Sequence, residues 1–405
     1  MDIKESANHH NDAGFRLLKQ LLHTEHYKAK NIIFSPFSIY TMLTLLANGA
    51  SPHGQMIQHL LYFLKFRSLP QLNSFLSKLF PSLFGDASAK YGPIITTANG
   101  VWLADDLPVN PSFQKLLETL YHGKLNLVDF VNKRREVMED ANSWVKEQTR
   151  GLIPEILKGI DESSRMILAN AVYFKAAWSN KFKKSLTKDQ NFYLLDGTSR
   201  KVPFMSDSLS YPRRVSVFDS FKVASLPYIG AIRGKFQRPS RFSMLIFLPN
   251  DRDGLPSLIQ RACSESGFID RHVPPKPVML HEFKIPKFKF GLDFELEDIL
   301  RELGLGLVFS GESGFTGMVE DPAGREVYVS KMFHKAVISV DEEGTEAAAV
   351  TMGLMSGCSL GKARVEKIEF VADHPFLFVI KEDESGAVLF VGQKLINPSL
   401  FSSAL

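Results

Sequence analysis

The sequence predicts an α+β fold in one domain. Helix-period apolar spacing dominates the first third of the 405 residues, and alternating or wholly apolar strand-like runs dominate residues 190–290 and the C-terminal part. No internal repeat and no linker rich in Pro, Gly or Ser divides the chain. An apolar content of 44% and a charged content of 23% suit a globular protein with a sizeable core.

Phe15, Leu17, Leu18, Leu21 and Leu22 predict an amphipathic helix over 11–26. Residues 31–36 read as a short strand running into a helix, with Ser35 as N-cap and Pro36 at the first helical position, where a missing N–H costs nothing. That helix, over 37–47, is apolar on nearly every face, which predicts burial. Helical patterns follow at 54–66, 69–82, 111–121 and 133–149, the last closed by Gly151. Strands are expected at 94–103, 166–174, 191–195, 221–226, 242–248 and 335–340. A further strand over 283–290 contains Pro286, which predicts an edge or a bulge because proline cannot donate to a ladder. A helix is expected over 292–303, stopped by Gly304, and strands at 375–380 and 387–392 form a hairpin around Gly386. Residues 229–240, basic and poorly patterned, read as an exposed loop.

Composition argues against several functions. A formal net charge of +4 gives no basis for nucleic-acid or membrane-surface binding, and no stretch approaches the roughly 20 apolar residues of a membrane span. The polar start, the absence of Asn-X-Ser/Thr acceptors and the presence of only Cys263 and Cys358 favour a reducing, cytoplasmic setting, with the extracellular space as the alternative. No Gly-X-Ser-X-Gly, His-Glu-X-X-His, phosphate-loop or Cys-X-X-Cys motif occurs, so an enzyme, a metal site and a cofactor are not expected. His9-His10 lies near a terminus and reads as part of a frayed end, and Cys263 as a small buried side chain on a helix.

The stretch 341–360 is different in kind. It has no helix period and no bulky core set; it starts acidic and turns tiny, and a long loop of this sort inside a domain is usually functional. It also passes a test for entering a buried sheet. Side chains alternate along a strand, so with Thr345 inward, Ala347, Ala349, Thr351 and Gly353 are inward too, none bulky or charged. Glu346 then falls outward with Ala348, Val350 and Met352, and the opposite register would bury it.

Several segments together carry a resemblance. Asn31-Ile-Ile-Phe-Ser-Pro-Phe-Ser-Ile39, Ala169-Asn-Ala-Val-Tyr-Phe-Lys-Ala-Ala-Trp178, Val202-Pro-Phe-Met205, the hinge-like run from Glu342 to Ala349, and Asp373-His-Pro-Phe376 with Leu389-Phe-Val-Gly392 resemble the signature segments of the serpins, in order, over about residues 10–398. The short polar start and Leu226-Pro-Tyr228 before a basic loop resemble the plant, Z-type group. The resemblance implies three β-sheets with about nine helices, and an exposed reactive-centre loop at about 342–366. It implies an irreversible suicide inhibitor of serine endopeptidases, with cysteine proteases as a further target class, acting as a monomer; a non-inhibitory storage, carrier or chaperone-like serpin is the alternative. The hinge would comprise Glu342, Glu343, Gly344, Thr345, Glu346, Ala347, Ala348, Ala349 and Val350. Counting from Glu342 places the cleaved bond at Cys358–Ser359, with Ser356, Gly357 and Cys358 setting specificity and Lys362 and Arg364 as other cleavage points. Many plant serpins carry Arg or Lys where this chain has Cys358, so a protease with a small apolar pocket is expected. By the same resemblance, Ser35, Ser38, Asn170 and His334 form a polar cluster that gates the sheet, Trp178 stands where insertion starts, and Lys287 pairs with Glu342 at the loop base.

Overall fold

A computed structural model describes residues 3–84, 93–207, 212–230, 242–311, 314–320, 322–345 and 368–395. These form three sheets and ten α-helical segments, three of them only four residues long.

The N-terminal helix, Ile3–His23, is longer than expected and is followed by a four-residue turn, Glu25–Lys28. His10 is therefore no frayed end. It is buried, with Nε2 3.0 Å from the Val388 carbonyl, and Asn11 brackets the C-terminal hairpin by donating to the Gly386 carbonyl and accepting from Val388 N–H. The strand Ile32–Phe34 runs into the helix Pro36–Gly49, whose cap is as predicted: Ser35 Oγ accepts from Ser38 N–H at 3.1 Å. Every residue of that helix except Asn48 is buried, so it forms the spine between sheets and the remaining helices.

A seven-stranded sheet runs in the order Ile32–Phe34, Val388–Lys394, Phe376–Glu382, Phe242–Pro249, Phe221–Pro227, Arg213–Val217, Pro277–Val278. A four-stranded sheet is made of Glu369–Val371, Glu282–Pro286, Ser199–Ser206 and Lys188–Tyr193. The six-stranded sheet has the order Phe288–Glu295, Lys331–Val340, Gly344–Thr345, Met166–Ala177, Ile94–Ala104, Lys124–Val128.

Two expectations need correction. The strand over 283–290 is two strands in different sheets, Glu282–Pro286 and Phe288–Glu295, so Pro286 marks a change of sheet, neither an edge nor a bulge within one strand. The helix over 292–303 starts later. Phe288–Glu295 continues as strand, its Leu292 and Phe294 buried between exposed neighbours, and only Glu297–Leu300 and a wider turn over Arg301–Leu305 are helical. Leu292 and Phe294 fit a period of two as well as a helix, and strand pairing decided the matter: Phe288 to Glu295 lie opposite Val340 to Phe333. Gly304, with φ +82°, does end the helical turn. Most of the basic stretch 229–240 lies outside the described residues.

Candidate functional site: a slot in the six-stranded sheet

The two central strands of the six-stranded sheet pair directly over only part of their length. Lys331 to Ala336 run parallel to Ile167 to Val172. Beyond that point they separate, and the two-residue strand Gly344–Thr345 stands between them, Thr345 opposite both Val340 and Ala176 and Gly344 opposite Ala177. Only glycine fits at 344, since a Cβ there would strike the backbone of Ala176 and Ala177. Thr345 is 2% exposed and points inward, as the alternation argument requires.

A polar frame holds the base of this wedge. Glu342, 3% exposed, sets one carboxylate oxygen 2.8 Å from Lys287 Nζ and accepts from Thr187 Oγ1 at 2.7 Å with the other. Burial pushes its carboxyl up, but the Lys287 and Thr187 hydrogen bonds outweigh that and hold it below the usual range. Glu343 pairs with Lys181 at 2.6 Å. Asp341 Oδ1 accepts from the N–H groups of Glu343 and Gly344. Trp178 donates twice to the same turn, from Nε1 to the Asp341 carbonyl and from its backbone N–H to the Glu343 carbonyl, each at 2.9 Å. Its ring stacks on Tyr228 at 4.5 Å and 14° between planes, and Tyr228 OH lies 2.6 Å from Thr345 Oγ1.

Lower in the sheet lies the second group. Ser35 backbone N–H donates to His334 Nε2 at 3.0 Å, so that nitrogen is an acceptor and the ring proton sits on Nδ1, 3.1 Å from Asn170 Oδ1. Ser38 Oγ donates to the same Asn170 oxygen, and Asn170 Nδ2 donates to Asn99 Oδ1 at 2.6 Å. Asn99 passes the chain on to the Tyr121 carbonyl at 2.8 Å. All these side chains are buried. Burial lowers the His334 pKa to about 3, and a second ring proton would meet the Ser35 N–H head on.

The structure thus brings together Ser35, Ser38, Asn170 and His334 in one network, and gathers Glu342, Glu343, Gly344, Thr345 and Trp178 around the wedge. The predicted pair Lys287–Glu342 is present. Glu346, Ala347, Ala348, Ala349, Val350, Ser356, Gly357, Cys358 and Ser359 lie outside the described residues. Sequence reasoning missed Asn99, Thr187 and Tyr228. Asn99 lies directly across the ladder from Asn170, a register invisible along the chain; the one available signal was an amide within an otherwise apolar run.

Comparison with known proteins agrees with this architecture. The family model described as Serpin (serine protease inhibitor) matches residues 8–398. The chain is 43% identical to Serpin-ZX of Arabidopsis thaliana, over 98% of this chain and all of that protein, and 42% identical to Serpin-Z4 of the same plant, over 99% of this chain and all of that one. Among solved structures, Arabidopsis AtSerpin1 in its native stressed conformation superposes with a TM-score of 0.85 at 42% identity, covering 97% of this chain and 98% of that one. With a buried two-residue wedge between the central strands of its six-stranded sheet and this likeness along its whole length, the chain belongs to the serpin family of protease inhibitors, and the partner that the family implies is a target protease.

Proposed function

We propose that this chain inhibits serine endopeptidases as a suicide substrate. The target's nucleophile attacks the Cys358 carbonyl, and the Cys358–Ser359 bond breaks with Ser359 leaving as the free amine. Before water releases the acyl group, the arm beginning at Thr345 enters the sheet and carries the protease with it. The observation that supports this most directly is Gly344–Thr345, already seated between the two central strands with Thr345 inward. Full entry replaces the six residue pairs from Lys331↔Ile167 to Ala336↔Val172 with two ladders, one on each side of the arm. The small inward residues Ala347, Ala349 and Thr351 suit such a slot. The polar network of Ser35, Ser38, Asn170 and His334 bridges these same two strands, so it is the set of bonds that must exchange partners as they part.

Cys358 favours a target with a small apolar pocket. We also place cysteine proteases among the targets, through the same acyl chemistry. One chain supplies both arm and slot, so the inhibitor works as a monomer, which light scattering will check. A chain with a free thiol at Cys263 suits the cytoplasm, and fractionation of cells expressing it tests that placement.

The deciding experiment is incubation with a panel of serine and cysteine proteases, a denaturing gel after boiling, and N-terminal sequencing of the released fragment. We expect a covalent complex and a fragment starting at Ser359. Clean cleavage without complex across the panel sinks the inhibitory reading, and a fragment starting at Ala363 or Val365 relocates the bond to Lys362 or Arg364. Thr345→Arg places a charge on the inward face and should turn inhibitor into substrate; persistence of the complex would defeat the register argument.

A further inference from the structure

We propose that Tyr228 is a positioning residue that sets the register in which the arm enters the sheet, by holding the Thr345 side chain inward through its hydroxyl. This rests on the insertion mechanism above. Tyr228 lies on none of the strands that border the slot; it follows the Phe221–Pro227 strand of the seven-stranded sheet, 117 residues from Thr345, and bridges through its backbone to Trp178, just past the end of the Met166–Ala177 strand. Its ring has little freedom. Trp178 stacks on one face at 4.5 Å, Phe174 meets it edge-on at 5.1 Å and 70°, and its backbone is tied by N–H to the Phe242 carbonyl and by its own carbonyl to Ser179 Oγ. Trp178 is itself fixed by two hydrogen bonds to the hinge turn. The hydroxyl of Tyr228 therefore occupies a defined point inside the protein, 2.6 Å from Thr345 Oγ1, with both residues 2% exposed.

The consequence follows from strand geometry. Side chains alternate with a period of two, so the orientation of the first inserted residue fixes that of all that follow. Thr345 inward sends Ala347, Ala349 and Thr351 to the core and keeps Glu346 out; turning Thr345 outward would bury Glu346 and leave the Tyr228 hydroxyl in the interior without its partner. Gly344, having no side chain, carries no orientation of its own, so the choice is made at Thr345. A chain that begins insertion in the right register has fewer failed entries during the lifetime of the acyl-enzyme, and the share of inhibitor lost as cleaved substrate falls.

The test uses the full chain and four variants: Tyr228→Phe, Thr345→Val, Thr345→Ser and the Tyr228→Phe/Thr345→Val pair. Two quantities are read. One is the ratio of cleaved to complexed inhibitor with a protease that the wild type traps; the other is hydrogen exchange of the Gly344 and Thr345 amides in the uncleaved protein. Losing one ordinary hydrogen bond changes such ratios by about two- to tenfold. We expect rises of that size in Tyr228→Phe and in Thr345→Val, restoration in Thr345→Ser, which keeps the hydroxyl, and a double variant no worse than the singles because it leaves no hydroxyl unpaired. Exchange at the hinge should quicken in the same two singles. A wild type that forms complex, with both ratios unchanged in the singles, overturns the inference, as does a double variant whose effects multiply. If the wild type traps nothing, the inhibitory reading fails, and hinge exchange still decides the anchor: quickened exchange in Tyr228→Phe upholds it and unchanged exchange ends it.

Discussion

Replacing Asn99 with alanine would strip the Asn170 amide of its acceptor and the Tyr121 carbonyl of its donor, both in the dry interior of the sheet. The expected cost is about 1–3 kcal/mol, because an unpaired buried polar group keeps its full desolvation penalty. Chemical denaturation reads it as a lower midpoint with an unchanged slope. Glu342 makes a similar case at the hinge. Lys287→Ala leaves its nearly buried carboxylate with Thr187 as its remaining side-chain partner. Lys287 keeps about a third of its surface in water, so the loss should be about 1–3 kcal/mol, below that of a fully buried pair. Limited proteolysis at the hinge will show it as faster cutting. At this scale the sequence was informative about kinds of residue and silent about partners. Thr345 and its alternation could be read from the chain, whereas Tyr228, which holds it, could not.

Elements were legible where their signals are local. The Pro36–Gly49 helix carries its cap, its proline and its apolar surface within its own residues, and it was placed almost to the residue. Ser35→Ala should destabilise it by about 1 kcal/mol through loss of the cap, measurable as a shift in thermal midpoint. Phe288–Glu295 failed for the opposite reason. Its apolar residues suit two periods, and the strand Lys331–Val340, distant in sequence, selects one of them. The strands Lys124–Val128 and Arg213–Val217 are five residues each, too short for a period to stand out, and stayed invisible, since their strand character comes from neighbours.

For the whole molecule, acid should loosen the six-stranded sheet between its two central strands. His334 has a folded pKa of about 3 against 6.5 for the free side chain, so the folded state binds fewer protons over that range. Its contribution is complete above pH 6.5 and is lost as pH falls toward 3, at about 1.4 kcal/mol per pH unit. His10, held at about 4 by burial despite the Val388 carbonyl, and Glu342, held low at the hinge, act in the same direction, the latter only below the normal carboxylate range. The thermal midpoint should drop between pH 6 and 4, and His334→Gln should flatten that slope. A profile indifferent to the substitution would show that His334 does not carry the acid dependence.

The chain by itself determined that this is one α+β domain, that a small-residue stretch lies between two strand-rich segments, and that Thr345 is a residue the sheet can bury. These are properties of composition and of period along neighbouring residues, which backbone geometry turns directly into direction. Only the tertiary structure decided that Lys331–Val340 and Met166–Ala177 part around Gly344–Thr345, that Asn99 stands across from Asn170, and that Tyr228 meets Thr345. Asn99 and Asn170 are 71 positions apart, Tyr228 and Thr345 117, and Thr345 pairs across the ladder with Ala176, 169 positions before it (345 − 176). Strand order and register arise from packing between sheets and leave no local period to read.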